Sequence, residues 1–280
     1  AKRANLNVAV VEKEYLGTGQ IAESSRVDNY PGIPGIDGYS LGEKFREHAE
    51  SLGVEFTEAQ VLSLGQKDGI WIIGCDEDIT LESKAVIYAT GCKNRPLGVP
   101  GEEKYYGRGL SFCAVCDGAF YKGKRVAVIG GGDTALDDAM YLSDICEKVY
   151  LVHRREFFRG SASTLEKLKQ KENVEIIVNA RVEEITGDKK IDGIILDNKT
   201  KLNISGLFAA VGMIPQTELL KEFGVLDESN YVKASEDTKT TVNGLFAAGD
   251  VRTKQLRQVV TAAADGANAI YSVMEYLRNI

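Results

Sequence analysis

Apolar positions in this chain fall into short runs broken by polar turns, and the spacing within each run separates strands from helices. Residues 6–12 are mostly branched and apolar and end on an acid, as a buried parallel strand with a carboxylate at its C-terminal edge does. Arg125–Ile129 and Lys148–Val152 have the same character, and the alternating segments 54–64 and 69–75 read as further β structure. Runs 85–91, 206–215 and 245–251 are strands that break into a turn, the last with a carboxylate at the turn. Helical spacing predicts a helix over 41–52, a second with Ala135, Leu136, Ala139, Leu142 and Ile145 on one face, and a charged amphipathic one over 165–171. A last helix starts near Arg257 and is expected to bury Val260, Ala263, Ala267, Ile270, Met274 and Leu277.

Two stretches interrupt this alternation. Residues 17–39 are rich in Gly, Pro, Asp and Ser and read as an extended loop around Asn29-Tyr30-Pro31-Gly32; a loop this long in a compact domain is usually functional. Residues 94–101 carry two X-Pro steps and read as a stiff crossover between domains, with 206–215 marking the return. The predicted division is therefore 1–96 with 209–280 as one discontinuous domain, and 97–208 as a domain inserted into it.

Composition narrows the possibilities. A chain of 280 residues with 44% hydrophobic content suits one large or two ordinary globular domains. A net charge of −7 disfavours a nucleic-acid partner, since such binding rests on clustered Lys and Arg. No apolar run approaches the roughly 20 residues that span a bilayer and no signal sequence is evident, so a cytoplasmic protein with no membrane partner is expected. Five cysteines, an odd and low number, argue against a structural disulfide framework and for reducing surroundings, leaving two of them for chemistry.

The candidate chemistry lies in the middle of the chain. Gly130-Gly131-Gly132-Asp133-Thr134-Ala135 is a G-x-G-x-x-A turn placed between a strand and a helix and followed by a second strand, the context a dinucleotide site requires. After that second strand an NAD site would carry an acid for the ribose 2′-hydroxyl; this chain has His153-Arg154-Arg155 and then Arg159. Guanidinium groups bind a 2′-phosphate through charge-assisted, often bidentate bonds, so NADPH is expected rather than NADH. The plainer alternative for these arginines is a solvated basic face.

A few residues upstream stands Cys113-Ala114-Val115-Cys116-Asp117-Gly118. Cys-x-x-Cys reads as half of a zinc site, a structural disulfide or a redox couple. The remaining cysteines are scattered singly and the histidines are only His48 and His153, which leaves zinc poorly supplied with ligands. In a redox couple a nearby acid must manage protons; Asp117 is placed for that, or else is a turn-forming residue before Gly118. Thiols accept hydride poorly, and a flavin is the natural intermediary between NADPH and a dithiol. A second nucleotide site is thus expected, with Glu12 at a ribose and the Asp250 turn, beside a helix N-terminus, as its candidate parts.

These residues together closely resemble the low-molecular-weight thioredoxin reductases over essentially the whole chain. The resemblance rests on Gly19-Gln20, Asn29-Tyr30-Pro31-Gly32, Ala89-Thr90-Gly91, the Cys113 to Gly118 segment, the 130–135 turn, the His-Arg-Arg cluster, Ala248-Gly249-Asp250 and Arg257-Gln258. It implies a homodimer whose subunits hold two Rossmann-like nucleotide-binding domains, the NADPH domain with the dithiol inserted into the FAD domain and rotating against it. FAD contacts fall by resemblance on Glu12, Gly19, Gln20, Asn29, Thr90, Gly91, Gly249, Asp250, Arg257, Gln258 and Val259. NADPH contacts fall on Gly130, Gly132, Asp133, Thr134, Ala135, His153, Arg154, Arg155 and Arg159. Cys113, Cys116 and Asp117 form the catalytic group, and a thioredoxin or thioredoxin-like protein is the implied partner.

The family's first strand and its Gly-x-Gly-x-x-Gly turn do not occur in this sequence. Counting back about 20 residues from Glu12 runs off its start, so the sequence is expected to begin inside its first βαβ unit and, taken alone, to bind FAD poorly. Two alternatives stay open: a flavin reductase of the same fold with another acceptor, and a non-catalytic nucleotide-binding fragment.

Overall fold

The computed structural model describes residues 1–15, 19–24 and 26–280, the side chain of residue 23 excepted. Part of the expected 17–39 loop therefore lies outside the described residues; the rest holds a 3-10 turn, Gly19–Glu23, and a bridge between Val27 and Ile36. The chain folds as two compact units, Ala1–Lys93 with Ile214–Ile280, and Asn94–Met213. The crossings fall at 93/94 and 213/214, against the 96/97 and 208/209 read from the sequence.

The Asn94–Met213 unit is built on a five-stranded parallel sheet. Its order is Val174–Ile177, Lys148–Val152, Arg125–Ile129, Gly206–Ala209 and Leu110–Ser111, so the strand leading into the glycine turn lies in the middle. Side chains alternate across the sheet and both faces are covered, which explains why these strands are apolar throughout. Val126, Val128, Val149 and Leu151 pack beneath the helices Asp133–Ser143 and Ala162–Lys169, against Ala135, Leu136, Ala139, Leu142 and Leu168. Ala127, Val152 and Leu207 point the other way, onto the antiparallel sheet Val182–Thr186, Gly193–Leu196 and Lys201–Asn203 through Ile185, Ile194, Leu196 and Leu202. The result is three layers about one sheet.

In the discontinuous unit Ala9–Glu12 pairs in parallel with Glu55–Glu58, and Val86–Tyr88 with Leu245–Ala247. The single β-type segment read over 54–64 is in fact two strands. At Ala59 the chain makes its last bond to the first strand, N–H to the Glu12 carbonyl, and from Val61 it enters the antiparallel meander Val61–Lys67, Ile70–Cys75, Thr80–Ser83. Trp71 is fully buried and packs with Tyr88, Leu220, Val232, Leu245, Ala247 and Val251 as the core of this unit. Asp37 caps the helix Gly38–Ser51, its carboxylate accepting from the Ser40 N–H, so that helix starts three residues before the spacing indicated.

The last helix, Val259–Arg278, corrects the expected buried face. Val260 is 40% exposed, Ala263 and Ala267 face solvent, and the inward positions are Asp265, Ala269, Ser272 and Val273. Polar residues take the inner face because their partners wait there. Asp265 receives Arg252 and Lys254, and the Ser272 hydroxyl donates to the Asp237 carbonyl. A buried acid so compensated is tolerated, and amphipathic spacing alone does not reveal it.

Candidate functional site

In the inserted unit the glycine turn leaves the central strand with each residue under a separate constraint. A Cβ on Gly130 would stand 2.4 Å from the Ala210 carbonyl oxygen and 2.7 Å from the Ala135 methyl, so strand, turn and helix close only around hydrogen there. A Cβ on Gly131 would fall 2.2 Å from the His153 ring. At Gly132 nothing lies within 4 Å, leaving the backbone open to a ligand at the start of the Asp133–Ser143 helix. Ala135 is fully buried where helix meets strand, and Thr134 faces solvent in the first turn.

The basic segment is fastened to that turn. The strands end side by side, Ile129 opposite Val152, and the loop after Val152 folds back so that the Arg159 and Gly160 N–H groups both donate to the Gly131 carbonyl. Asp133 accepts from the Ser161 N–H at 2.7 Å, tying the helix start to the end of the loop. His153 is 7% exposed and its Nε2 faces the Phe157 carbonyl at 3.2 Å; a carbonyl can only accept, so Nε2 carries the hydrogen. Burial, with the charges of Arg154, Arg155 and Arg159 behind it, pushes the imidazole pKa down. His153 therefore acts as a neutral brace. Arg154, Arg155 and Arg159 are exposed, and none has an ion-pair partner among the described residues.

The dithiol lies in the same unit. Cys113 and Cys116 are joined as a disulfide with their Cα atoms 5.3 Å apart, and Cys113 caps the short helix Ala114–Asp117, its Sγ accepting from the Cys116 N–H at 3.2 Å. Ser111, which no sequence pattern singled out, organises this segment. Its hydroxyl donates to Asp117 Oδ2 at 2.6 Å and accepts from the Cys113 N–H at 3.1 Å. Burial raises the Asp117 pKa, against the opposing effect of the Ser111 bond. The other cysteines, Cys75, Cys92 and Cys146, are buried and free, and no metal-binding group of His, Cys, Asp and Glu occurs among the described residues.

The second candidate site belongs to the discontinuous unit and is gathered from distant segments. Gly249 adopts a left-handed φ of +77°, and its N–H donates to the buried Asp265 carboxylate. That fixes the turn carrying Asp250, whose carbonyl accepts from Cys92 Sγ at 3.0 Å and Arg257 Nε at 3.3 Å. Asp250 Oδ1 is buried with no partner among the described residues, and burial raises the pKa of its carboxyl. Gln258 caps the last helix in a reciprocal box with Thr261 and accepts from Asn29 Nδ2, while Val259 is the first helical residue. Gln20, in the 3-10 turn that begins at Gly19, donates to the Cys92 carbonyl at 2.6 Å. Thr90 and Tyr88 both donate to the Gln216 carbonyl beside the left-handed Gly91.

Gln20, Cys92, Asp250 and Arg257 are thus joined by direct contacts, as are Asn29 and Gln258. Glu12 stands apart at its strand edge, where its Oε1 accepts from the Lys13 N–H. Cys92 and Asp265 belong to this group but were not read from the sequence. A lone cysteine after a glycine and an acid within a helix carry no distinguishing spacing. Burial raises the Cys92 thiol to about 11, so it stays protonated and donates to the Asp250 carbonyl.

Comparison with known proteins adds to this geometry. A family model described as pyridine nucleotide-disulphide oxidoreductase matches residues 1–266. The chain is 38% identical to a thioredoxin reductase of Helicobacter pylori, over all of this chain and 94% of that one. Among solved structures, a thioredoxin reductase from Streptococcus pyogenes is similar with a TM-score of 0.93 at 37% identity, covering 100% of this chain and 93% of that one. One from Giardia duodenalis is similar with a TM-score of 0.90 at 36% identity, covering 99% and 93%.

Proposed function

We propose that this chain, which belongs to the pyridine nucleotide-disulphide oxidoreductases, is a thioredoxin-disulfide reductase with NADPH and FAD as its cofactors. The observation that carries the reading is the closed Cys113–Cys116 pair, in the same unit as a glycine turn braced to a loop of exposed arginines. When bound, FAD supplies the exchange between a two-electron hydride donor and a disulfide.

The residues present fit both groups. In the inserted unit, open space over Gly132 at a helix start suits a pyrophosphate, and Arg154, Arg155 and Arg159 suit a 2′-phosphate. In the discontinuous unit, the orphaned Asp250 Oδ1 suits a hydroxyl donor of the flavin nucleotide, beside Gly19, Gln20, Asn29, Thr90, Gly91, Gly249, Arg257, Gln258 and Val259, with Glu12 at a ribose. We accordingly assign NADPH to Asn94–Met213 and FAD to the discontinuous unit.

The dithiol handles the partner. A thiolate of the reduced pair attacks one sulfur of the partner's disulfide and expels the other, leaving a mixed disulfide. The second cysteine, deprotonated, then attacks its neighbour, which restores the Cys113–Cys116 bond and releases the partner with two thiols. The Cys116 N–H directed at Cys113 Sγ favours the thiolate there, and Asp117, its pKa raised by burial, is the group that takes and returns protons. The partner is a thioredoxin-like protein in reducing, cytoplasmic surroundings; among the described residues no helix is long and apolar enough to cross a membrane. A homodimer completes the reading and gives an occupant to the apolar face of the last helix, where Tyr271 is 76% exposed.

The test is NADPH-dependent reduction of a thioredoxin disulfide by the flavin-loaded protein. Cys116→Ser is expected to cut turnover at least ~1000-fold while NADPH still bleaches the flavin absorbance. Turnover equal to wild type in that variant would refute the assignment.

A further inference from the structure

We propose that Phe157 is the platform on which the adenine of the dinucleotide stacks; the inference rests on the NADPH reading given above. The parallel strands Arg125–Ile129 and Lys148–Val152 end level with each other, so the glycine turn and the arginine loop leave the sheet as neighbours. In this arrangement phosphates lie on the turn at the helix start, and the adenosine extends over the end of the second strand. Here that places it against residues 153–161, which are held to the turn through Gly131 and Asp133.

Two adjacent phenylalanines in the loop are treated in opposite ways. Phe158 turns inward, its ring 4.9 Å from that of His153, and joins the core under the helices. Phe157 is 76% exposed and makes no ring contact among the described residues, although its backbone is held firmly by the bond between its carbonyl and the His153 ring. A single exposed apolar side chain is ordinary in itself. This one stands between Arg155 and Arg159, where recognition of a phosphate needs charge and gains nothing from a benzyl ring. A purine needs the reverse: a flat apolar face of low conformational entropy, which guanidinium groups around its rim complement. The loop thus offers one nucleotide both chemistries, cations for its 2′-phosphate and a ring for its base.

The experiment is calorimetric titration of 2′,5′-ADP and of 5′-AMP into the flavin-loaded wild type, Phe157→Ala and Phe157→Trp, with thermal melts alongside. Phe157→Ala is expected to bind both ligands about tenfold more weakly with the preference for the 2′-phosphate retained and the melting temperature unchanged, and Phe157→Trp to bind within about twofold of wild type. Wild-type affinity in the alanine variant would overturn the inference and leave the NADPH reading intact, as would an equal loss in the tryptophan variant, which keeps a stacking face. A wild type that fails to prefer 2′,5′-ADP over 5′-AMP would overturn the NADPH reading, and this inference with it.

Discussion

The turn at Gly130 and the turn at Gly249 each follow a strand, yet they are built in opposite ways. The first is contiguous: strand, turn, helix, second strand and arginine loop follow one another from Arg125 to Ser161, and the bonds that fasten the loop to the turn, through Gly131 and Asp133, lie within that span. The second is assembled: Asp250 is held through Cys92, Arg257 and Asp265, and Asn29 meets Gln258 across 229 residues. The contiguous turn has its Gly131 carbonyl bonded by the loop and its backbone open at Gly132, whereas the assembled one buries a carboxylate oxygen that has no donor among the described residues. A site closed by local geometry takes its shape from neighbouring residues and leaves only open groups, the Gly132 backbone and the exposed arginines, for a ligand. A site gathered from distant segments can hold a polar atom in reserve for its ligand, at a cost in stability.

The contiguous region contains an exception to its own pattern. Asp138, on the helix that follows the glycine turn, is 9% exposed, and burial, with Asp137 adding to it, raises its pKa to about 7. The folded chain therefore holds this proton more tightly than the unfolded one, and Asp138 subtracts stability as pH rises from the unfolded value near 4 towards 7. Asp138→Asn should match wild type near pH 4 and exceed it above pH 7 by up to about 4 kcal/mol, read from urea unfolding across that range. Equal stability at both pH values would show the carboxyl to be ionised without penalty.

The arginine loop is braced through its backbone while its guanidinium groups stay uncommitted. Arg154→Ala with Arg155→Ala should lower the ratio of kcat/KM for NADPH over NADH by at least ~100-fold, since each charge-assisted bond to a phosphate contributes roughly 1.5–3 kcal/mol. The melting temperature should stay put, because the loop is fastened through backbone groups, His153 and Asp133 rather than through these side chains. A collapse of stability in the double variant would mean that the arginines hold the loop.

The smallest expected effect probes the reserve at Asp250. Asp250→Ala should stabilise the flavin-free protein by about 1 kcal/mol by removing the orphaned oxygen, and weaken FAD about tenfold by removing an acceptor. Thermal melts and flavin absorbance after dialysis measure the two, and the contrast lies in their opposite signs. A variant that loses stability without its flavin would show that Asp250 is already satisfied.

How much could be read beforehand follows the same division. Strands covered on both faces are apolar along their length, and a nucleotide turn needs small residues at fixed offsets, so Arg125–Ile129, the 130–135 turn, Lys148–Val152 and the arginines were legible from the sequence. So was the Cys-x-x-Cys as a couple with three readings; their closure as a disulfide is geometry. Ser111, which aligns Asp117, and Cys92, which bonds the Asp250 carbonyl, carry no spacing signal because each acts on a neighbour placed by the fold. The last helix shows the limit most clearly. Its apolar stripe was real, but Asp265 turned inward because Arg252 and Lys254 neutralise it there. Periodicity determined which elements exist and which contiguous motif they carry, because those depend on bonds a few residues long. Which polar groups are buried, and with whom, was decided by tertiary structure alone, because the free energy of burying a charge depends on partners that stand anywhere along the chain.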